Sequence, residues 1–114
     1  MAQDCIFCKI GAGMIPSTML HQDDVCFAIR DIHPKAPTHV LVIPKQHFLA
    51  LADMRAADEA MVGHLFAVAA KVAKQEKIAN GGYRLIINQG SDSGQEVPHL
   101  HLHVLGGRQL GSMG

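Results

Sequence analysis

Three histidines alternate with apolar residues in His99-Leu100-His101-Leu102-His103-Val104-Leu105. A period of two is that of a strand, so the three imidazoles share one face and Leu100, Leu102 and Val104 share the other. Neighbouring histidines on that face stand roughly 6.5–7 Å apart. Leucine or valine would fill a core face better, and histidine is rarely fully buried unless its nitrogens find partners. A solvated surface strand and a His-x-His metal site are the competing readings; a catalytic imidazole cluster is favoured. A neutral imidazole nitrogen can attack phosphorus, and the covalent intermediate splits one hard step into two easier ones. The other ring nitrogen must then carry a proton held by an acceptor, which sets the tautomer. Flanking imidazoles can donate to the non-bridging oxygens as charge builds.

Other residues could join this chemistry. Gln89-Gly90-Ser91-Asp92-Ser93-Gly94-Gln95 is a polar glycine loop; taken alone it reads as a surface turn, but its place directly before the histidine run lets its backbone N–H groups form an anion nest beside Asn88. Cys5-x-x-Cys8 reads as half a zinc site that needs two more ligands, with incidental thiols as the competing reading; a redox pair would need a βαβ context that the pattern lacks. Cys26 sits in an apolar stretch and reads as core packing. His21 reads as a turn residue and His64 as a helix-face residue, both structural or solvated, whereas His33, His39 and His47 stay open between function and structure.

The elements that position these groups follow from pattern. Residues 25–29 and 39–43 are short apolar strands, the second closed by Pro44. Residues 21–24 read as a turn, and residues 31–37 as a loop fixed by Pro34 and Pro37. Residues 83–88 form a further strand, and residues 99–105 the histidine strand. A long helix covers about residues 56–77, with Met61, Leu65, Val68 and Val72 on one stripe and Val62, Phe66, Ala69 and Ala73 on another. That wide apolar arc suits either a broad core face or a face that also covers a second copy of the chain. At most a short helical turn precedes Pro16. The layout is α+β, an antiparallel sheet with one major helix.

The totals agree. The chain has 114 residues, one domain's worth, with 48% hydrophobic and 18% charged residues, enough for a packed core. Net charge is zero with neutral histidine and no basic patch stands out, which argues against a nucleic acid polymer but leaves room for a single nucleotide. No apolar run approaches the ~20 residues of a membrane span. Met1-Ala2-Gln3-Asp4-Cys5 lacks the layout of a signal peptide. Three cysteines, an odd number, argue against a disulfide framework and for a reducing cytoplasm.

His-Leu-His-Leu-His-Val-Leu resembles the signature of the histidine triad (HIT) superfamily of nucleotide hydrolases and transferases. The likeness runs from Ile6-Phe7-Cys8-Lys9-Ile10 to Gly106-Gly107-Arg108. Asp31-Ile32, Ala36-Pro37-Thr38-His39, Val42-Ile43-Pro44-Lys45 and Gly94-Gln95-Glu96-Val97 are similar to its Hint branch, particularly bacterial members. The resemblance implies a single HIT domain over 1–114, with a sheet of about five strands, one long helix and a short N-terminal helix, the sheet continuing across a homodimer. It implies hydrolysis of purine nucleoside phosphoramidates, such as AMP joined through a P–N bond to ammonia or lysine, with AMP or GMP as the nucleotide substrate or product and no organic cofactor. By position, His101 is the implied nucleophile, His103 and His39 support it, and the main-chain carbonyl of His99 holds the His101 ring. Asn88, Gly94, Gln95, Glu96 and Val97 are implied to line the phosphate, and Asp31 to take the ribose hydroxyls. Phe7, Ile10, Phe27, Ile32 and Leu41 are implied to wall the base pocket. Cys5, Cys8, His47 and His99 are the implied ligands of a structural zinc ion. The chain departs from its relatives at Glu96, where some carry serine, at His33 and Pro98, and in its short C-terminus. Dinucleoside polyphosphate cleavage, a nucleotide-binding scaffold dimer with incidental catalysis, and a catalytic metal on the three histidines are the alternatives.

Overall fold

The computed structural model describes residues 5–48 and 50–114. Residues 1–4, on which the signal-peptide reading rests, lie outside the described residues. The chain runs through helix α1 (Ile6–Gly11), strands β1 (Met19–Gln22), β2 (Cys26–Arg30) and β3 (Thr38–Pro44), helix α2 (Glu59–Gln75), and strands β4 (Tyr83–Ile86) and β5 (Leu102–Gly106). Single 3-10 turns occupy Leu51–Asp53, Ala56–Asp58 and Ser91–Ser93. The five strands form one antiparallel sheet in the order β1-β2-β3-β5-β4.

Strand alternation divides the core between two faces. Cys26 and Ala28 of β2, Val40 and Val42 of β3, and Leu102 and Val104 of β5 pack with Leu65, Val68, Ala69, Val72 and Ala73 of α2. Phe27, Ile29, Leu41 and Ile43 point the other way and pack with Phe7 and Ile10 of α1. The histidines of β3 and β5 share this second face. Of the two helix stripes, the first is core as expected, whereas Phe66 of the second is exposed.

The expected strand over residues 99–105 is shortened: β5 begins only at Leu102. Val42 pairs with Leu102, and the pairing stops there. Further along, Pro44 lacks the N–H that would continue the ladder. The amide of Leu100 instead donates to Phe48 O at 2.7 Å, and that of His99 to Val97 O at 2.9 Å. Leu100 nonetheless remains in the α2-side core, so the alternation outlasts the ladder. Strand β1 had no sequence expectation. It begins before the expected turn at 21–24 and takes in His21 and Gln22. The turn itself centres on Asp23, whose Oδ1 accepts the amides of Val25 and Cys26 at 2.7 and 2.8 Å. Strand β2 is shifted one residue late relative to 25–29, and β4 ends at Ile86 rather than at 88.

Candidate active site

Strand β3 is buried throughout, with His39 on the α1 side of the sheet beside β5. Its Nε2 lies 2.9 Å from His103 Nδ1. Which nitrogen carries the proton follows from the neighbouring donors. The backbone amide of Lys35 donates to His39 Nδ1 at 3.0 Å. A backbone N–H can only donate, so His39 carries its proton on Nε2 and donates to His103 Nδ1. Neutral His103 then carries its proton on Nε2. That atom is buried and has no partner among the described residues.

His101 is set the opposite way. Its Nδ1 lies 2.7 Å from the carbonyl oxygen of His99. A carbonyl only accepts, so Nδ1 holds a proton, and in the neutral ring Nε2 keeps its lone pair. The rings of His101 and His103 are 4.9 Å apart between centroids, and the edge of Phe7 packs on His101 with centroids 5.1 Å apart. A lone pair and an orphaned N–H donor thus stand side by side.

Both imidazoles line a cavity of about 370 Å³, within the usual range for small-molecule sites. Phe7, Ile10 and Leu41 form its apolar wall, and Asp31, Ile32, Asn88, Gly94, Glu96 and Val97 also line it. Two expected residues do not. Phe27 is fully buried beneath α1, where its ring would meet a Cβ on Gly11 at 2.9 Å, so this close approach favours glycine. Gln95 braces the loop, accepting from the amide of Gly90 at 2.8 Å and donating to Val97 O at 3.1 Å. The amides of Ser93 and Gly94 are likewise spent within the loop, on Gly90 O and Ser91 O. These three amides are therefore not free to form a nest, in keeping with the surface-turn reading of the loop. Sequence reasoning missed Ile6, Ile15, Pro16, Ser17, Ile29 and Arg30 at the cavity, and His33, left open by the sequence, also lines it. The period-two pattern through Phe27 could have found Ile29; no periodicity marks the loop residues.

Asp31 has one oxygen tied up by the amide of His33 at 2.8 Å, and the other lies 3.4 Å from His39 Nε2. Burial lowers the pKa of His39, and the attraction of Asp31 only partly offsets it. Burial, with the charges of His101 and His39 added, pulls His103 down to about 4. Both rings are neutral near pH 7, as the tautomer assignment requires.

His99 does not enter the cavity. Its Nε2 donates to Pro44 O at 2.8 Å, leaving the Nδ1 lone pair 3.2 Å from Cys5 Sγ and 3.6 Å from Cys8 Sγ. His47 Nδ1 lies 3.2 Å from Cys8 Sγ. Helix α1 and its N-cap supply the two thiols one turn apart, and the segment after β3 supplies His47. The donor atoms of Cys5, Cys8, His47 and His99 all lie within 4.8 Å of one another. Tetrahedral zinc places sulfur and nitrogen ligands about 3.5 Å apart. The donor set and spacing fit that ion, and the Pro44 carbonyl supplies the outer hydrogen bond that a metal-binding imidazole needs.

The HIT domain family model matches residues 12–110. The chain is 50% identical over 113 residues to the purine nucleoside phosphoramidase of Escherichia coli K12, covering 99% of this chain and 95% of that protein. It superposes with a TM-score of 0.92 on a histidine triad protein from Clostridium difficile, at 46% identity, covering 97% and 96% of the two chains. A Zn-bound histidine triad family protein from Mycobacterium smegmatis superposes with a TM-score of 0.79 at 32% identity, covering 95% of this chain and 78% of that one.

The lowered pKa of His103 makes stability depend on pH. The unfolded chain, with histidine near pKa 6.5, binds this proton first as pH falls, so stability rises with pH between about 4 and 6.5. The expected loss attributable to His103 on acidification across that window is roughly 2–3 kcal/mol. Urea denaturation of wild type and His103→Asn at neutral and acid pH should show a flatter profile in the variant. Parallel profiles would contradict the assignment.

Proposed function

The chain belongs to the HIT domain family, and on that premise we propose that it hydrolyses the P–N bond of purine nucleoside phosphoramidates. The observation that carries this reading is the opposed setting of two imidazoles at one cavity. His101 presents an Nε2 lone pair and His103 an Nε2–H. The identity to a purine nucleoside phosphoramidase over nearly the whole chain supports the substrate class.

His101 Nε2 attacks the α-phosphorus; the new N–P bond forms as the P–N bond to the leaving amine breaks. The amine departs with a proton from solvent. The His101 ring, now carrying both the phosphoryl group and its Nδ1 proton, is cationic, and the His99 carbonyl accepts from that proton and stabilises the charge. His103 Nε2–H donates to a phosphoryl oxygen. Water then attacks phosphorus, the nucleoside monophosphate leaves, a proton passes to solvent, and His101 returns to its neutral form. Asp31 takes the ribose hydroxyls, the apolar wall takes the purine, and Asn88 and the segment from Gly94 to Val97 line the phosphate. Glu96 is exposed, so its carboxylate can turn away from that charge.

Cys5, Cys8, His47 and His99 would hold a structural zinc ion, which would join α1 to the start of the triad. A closed four-ligand site leaves no position for substrate. Cys5, Cys8 and Cys26 are all outside disulfides, which suits the cytoplasm. Strand β4 pairs only with β5 among the described residues and ends the sheet, half-buried along its length. A second copy of the chain pairs there, covering backbone groups that an open edge would leave exposed. Residues 1–114 act as a single domain.

Three outcomes check this reading. Incubation with an AMP phosphoramidate should trap adenylyl on a peptide containing His101, and His101→Ala should lower kcat/KM by about 10³-fold or more; full turnover by that variant would reject the role. A chelator should lower the thermal midpoint while the initial rate persists in the folded chain; immediate, metal-reversible loss of rate would instead make the histidines ligands of a catalytic metal. Sedimentation should give twice the 12.3 kDa chain mass, and a monomer would sink the paired edge.

A further inference from the structure

Three residues set aside as structural meet on the α2 side of the sheet. His21 of β1 and His64 of α2 each place Nε2 2.7 Å from the same oxygen, Asp23 Oδ2. Cys26, the first residue of β2, places Sγ 3.9 Å from that oxygen. All four donor atoms lie within 4.8 Å of one another. We propose that His21, Asp23, Cys26 and His64 form a second metal site, for a divalent ion of the Zn²⁺ class.

The chemistry of the donors sets that class. Two imidazoles, one carboxylate oxygen and one thiol suit a borderline-soft transition ion and are a poor match for Ca²⁺ or Mg²⁺, which take oxygen ligands. The carboxylate is already oriented. Its Oδ1 is held by the amides of Val25 and Cys26, so only Oδ2 faces the other donors. Such outer hydrogen bonds fix a ligand before the metal arrives. Tetrahedral zinc would set nitrogen, oxygen and sulfur about 3.3–3.6 Å apart. The two N···O pairs need to open by roughly 0.6 Å and the S···O pair to close by less.

The protons on the two Nε2 atoms must also leave, and nothing prevents it. Each imidazole makes only its bond to Asp23, and no protein acceptor engages either Nδ1 among the described residues. The ring proton can therefore move to Nδ1 and face water. His39 differs: the Lys35 amide occupies its Nδ1 and locks its tautomer. Access lies on the side of His64 and Asp23, whose side chains are 40% and 29% exposed, while His21 is 13% exposed and Cys26 is fully buried. Burial, then the Asp23 charge, push the Cys26 thiol up to about 12, so the bound cation must displace its proton. Loading would tie β1 and the β1–β2 turn to α2, on the face opposite the triad.

Equilibrium dialysis of the full chain against Zn²⁺, followed by metal analysis, tests the site. His64→Gln and His21→Asn should each lower the bound zinc by about one equivalent per chain. Phosphoramidate turnover should stay at the wild-type rate in His64→Gln. Cys5→Ser/Cys8→Ser should retain the equivalent assigned here; if that chain fails to fold, the comparison of wild type with His64→Gln decides alone. Unchanged zinc content in both histidine variants would overturn the site and leave a metal-free hydrogen-bonded cluster. With Co²⁺ in place of Zn²⁺, Cys26→Ser should lose thiolate-to-cobalt absorption that His47→Gln keeps. Equal spectra from wild type and Cys26→Ser would remove Cys26 from the ligand set.

Discussion

The hydrogen bond from His101 Nδ1 to the carbonyl of His99, 2.7 Å long, decides which nitrogen of His101 is free. Everything at the cavity depends on it. With the proton on Nδ1, Nε2 is a nucleophile; with the opposite tautomer it would be a donor, as on His103. That carbonyl must be held still, and its residue is held at two further points. His99 Nε2 donates to Pro44 O, and Nδ1 faces the two thiols of the N-terminal segment. Fully buried His99 is thus the joint between β3, α1 and the start of β5. It never touches the cavity, yet it sets the chemistry there.

A second chain of reasoning runs from Lys35. Its amide makes His39 Nδ1 an acceptor, His39 then donates to His103, and His103 is left with a buried N–H that has no partner among the described residues. An unpaired buried donor costs on the order of 1–3 kcal/mol. The cost is understandable where an anionic ligand would later accept that hydrogen bond, because the donor then needs no rearrangement. Burial also depresses the pKa values of His39 and His103, so the relay stays neutral until its partner arrives.

Much of this was legible in the residues because period two is robust. Alternation put His99, His101 and His103 on one side and Leu100, Leu102 and Val104 on the other, and this division holds even where the ladder has ended. The end of the strand was not legible, since it depends on Pro44, more than fifty residues away in sequence. Strand β1 was hidden for a related reason. It is four residues long, lies at an edge and carries a register shift between Met19 and His21, so its pattern is too short to separate from the turn at Asp23. The cavity wall was readable where it sits on strands and α1, but not where it comes from the loop around Ile15 and Pro16. The meeting of His21, Asp23, Cys26 and His64 needed the fold, because only the packing of α2 on the sheet brings His64 to the hairpin.

Helix lengths explain why the chemistry lies on one side. Seventeen-residue α2, roughly 25 Å long, can lie across most of the sheet and seals one face with a continuous apolar core. Six-residue α1, roughly 9 Å long, cannot do the same. It covers Phe27 and Ile43 and stops, and the rest of that face stays open as the cavity. So short a helix is marginal alone and needs tertiary anchors. Phe7 and Ile10 provide apolar ones, and Cys5 and Cys8, beside His99 and His47, provide polar ones. The same small element therefore opens the cavity by its shortness and orders the cavity by its anchors. A longer helix here would have stabilised the sheet and buried the imidazoles.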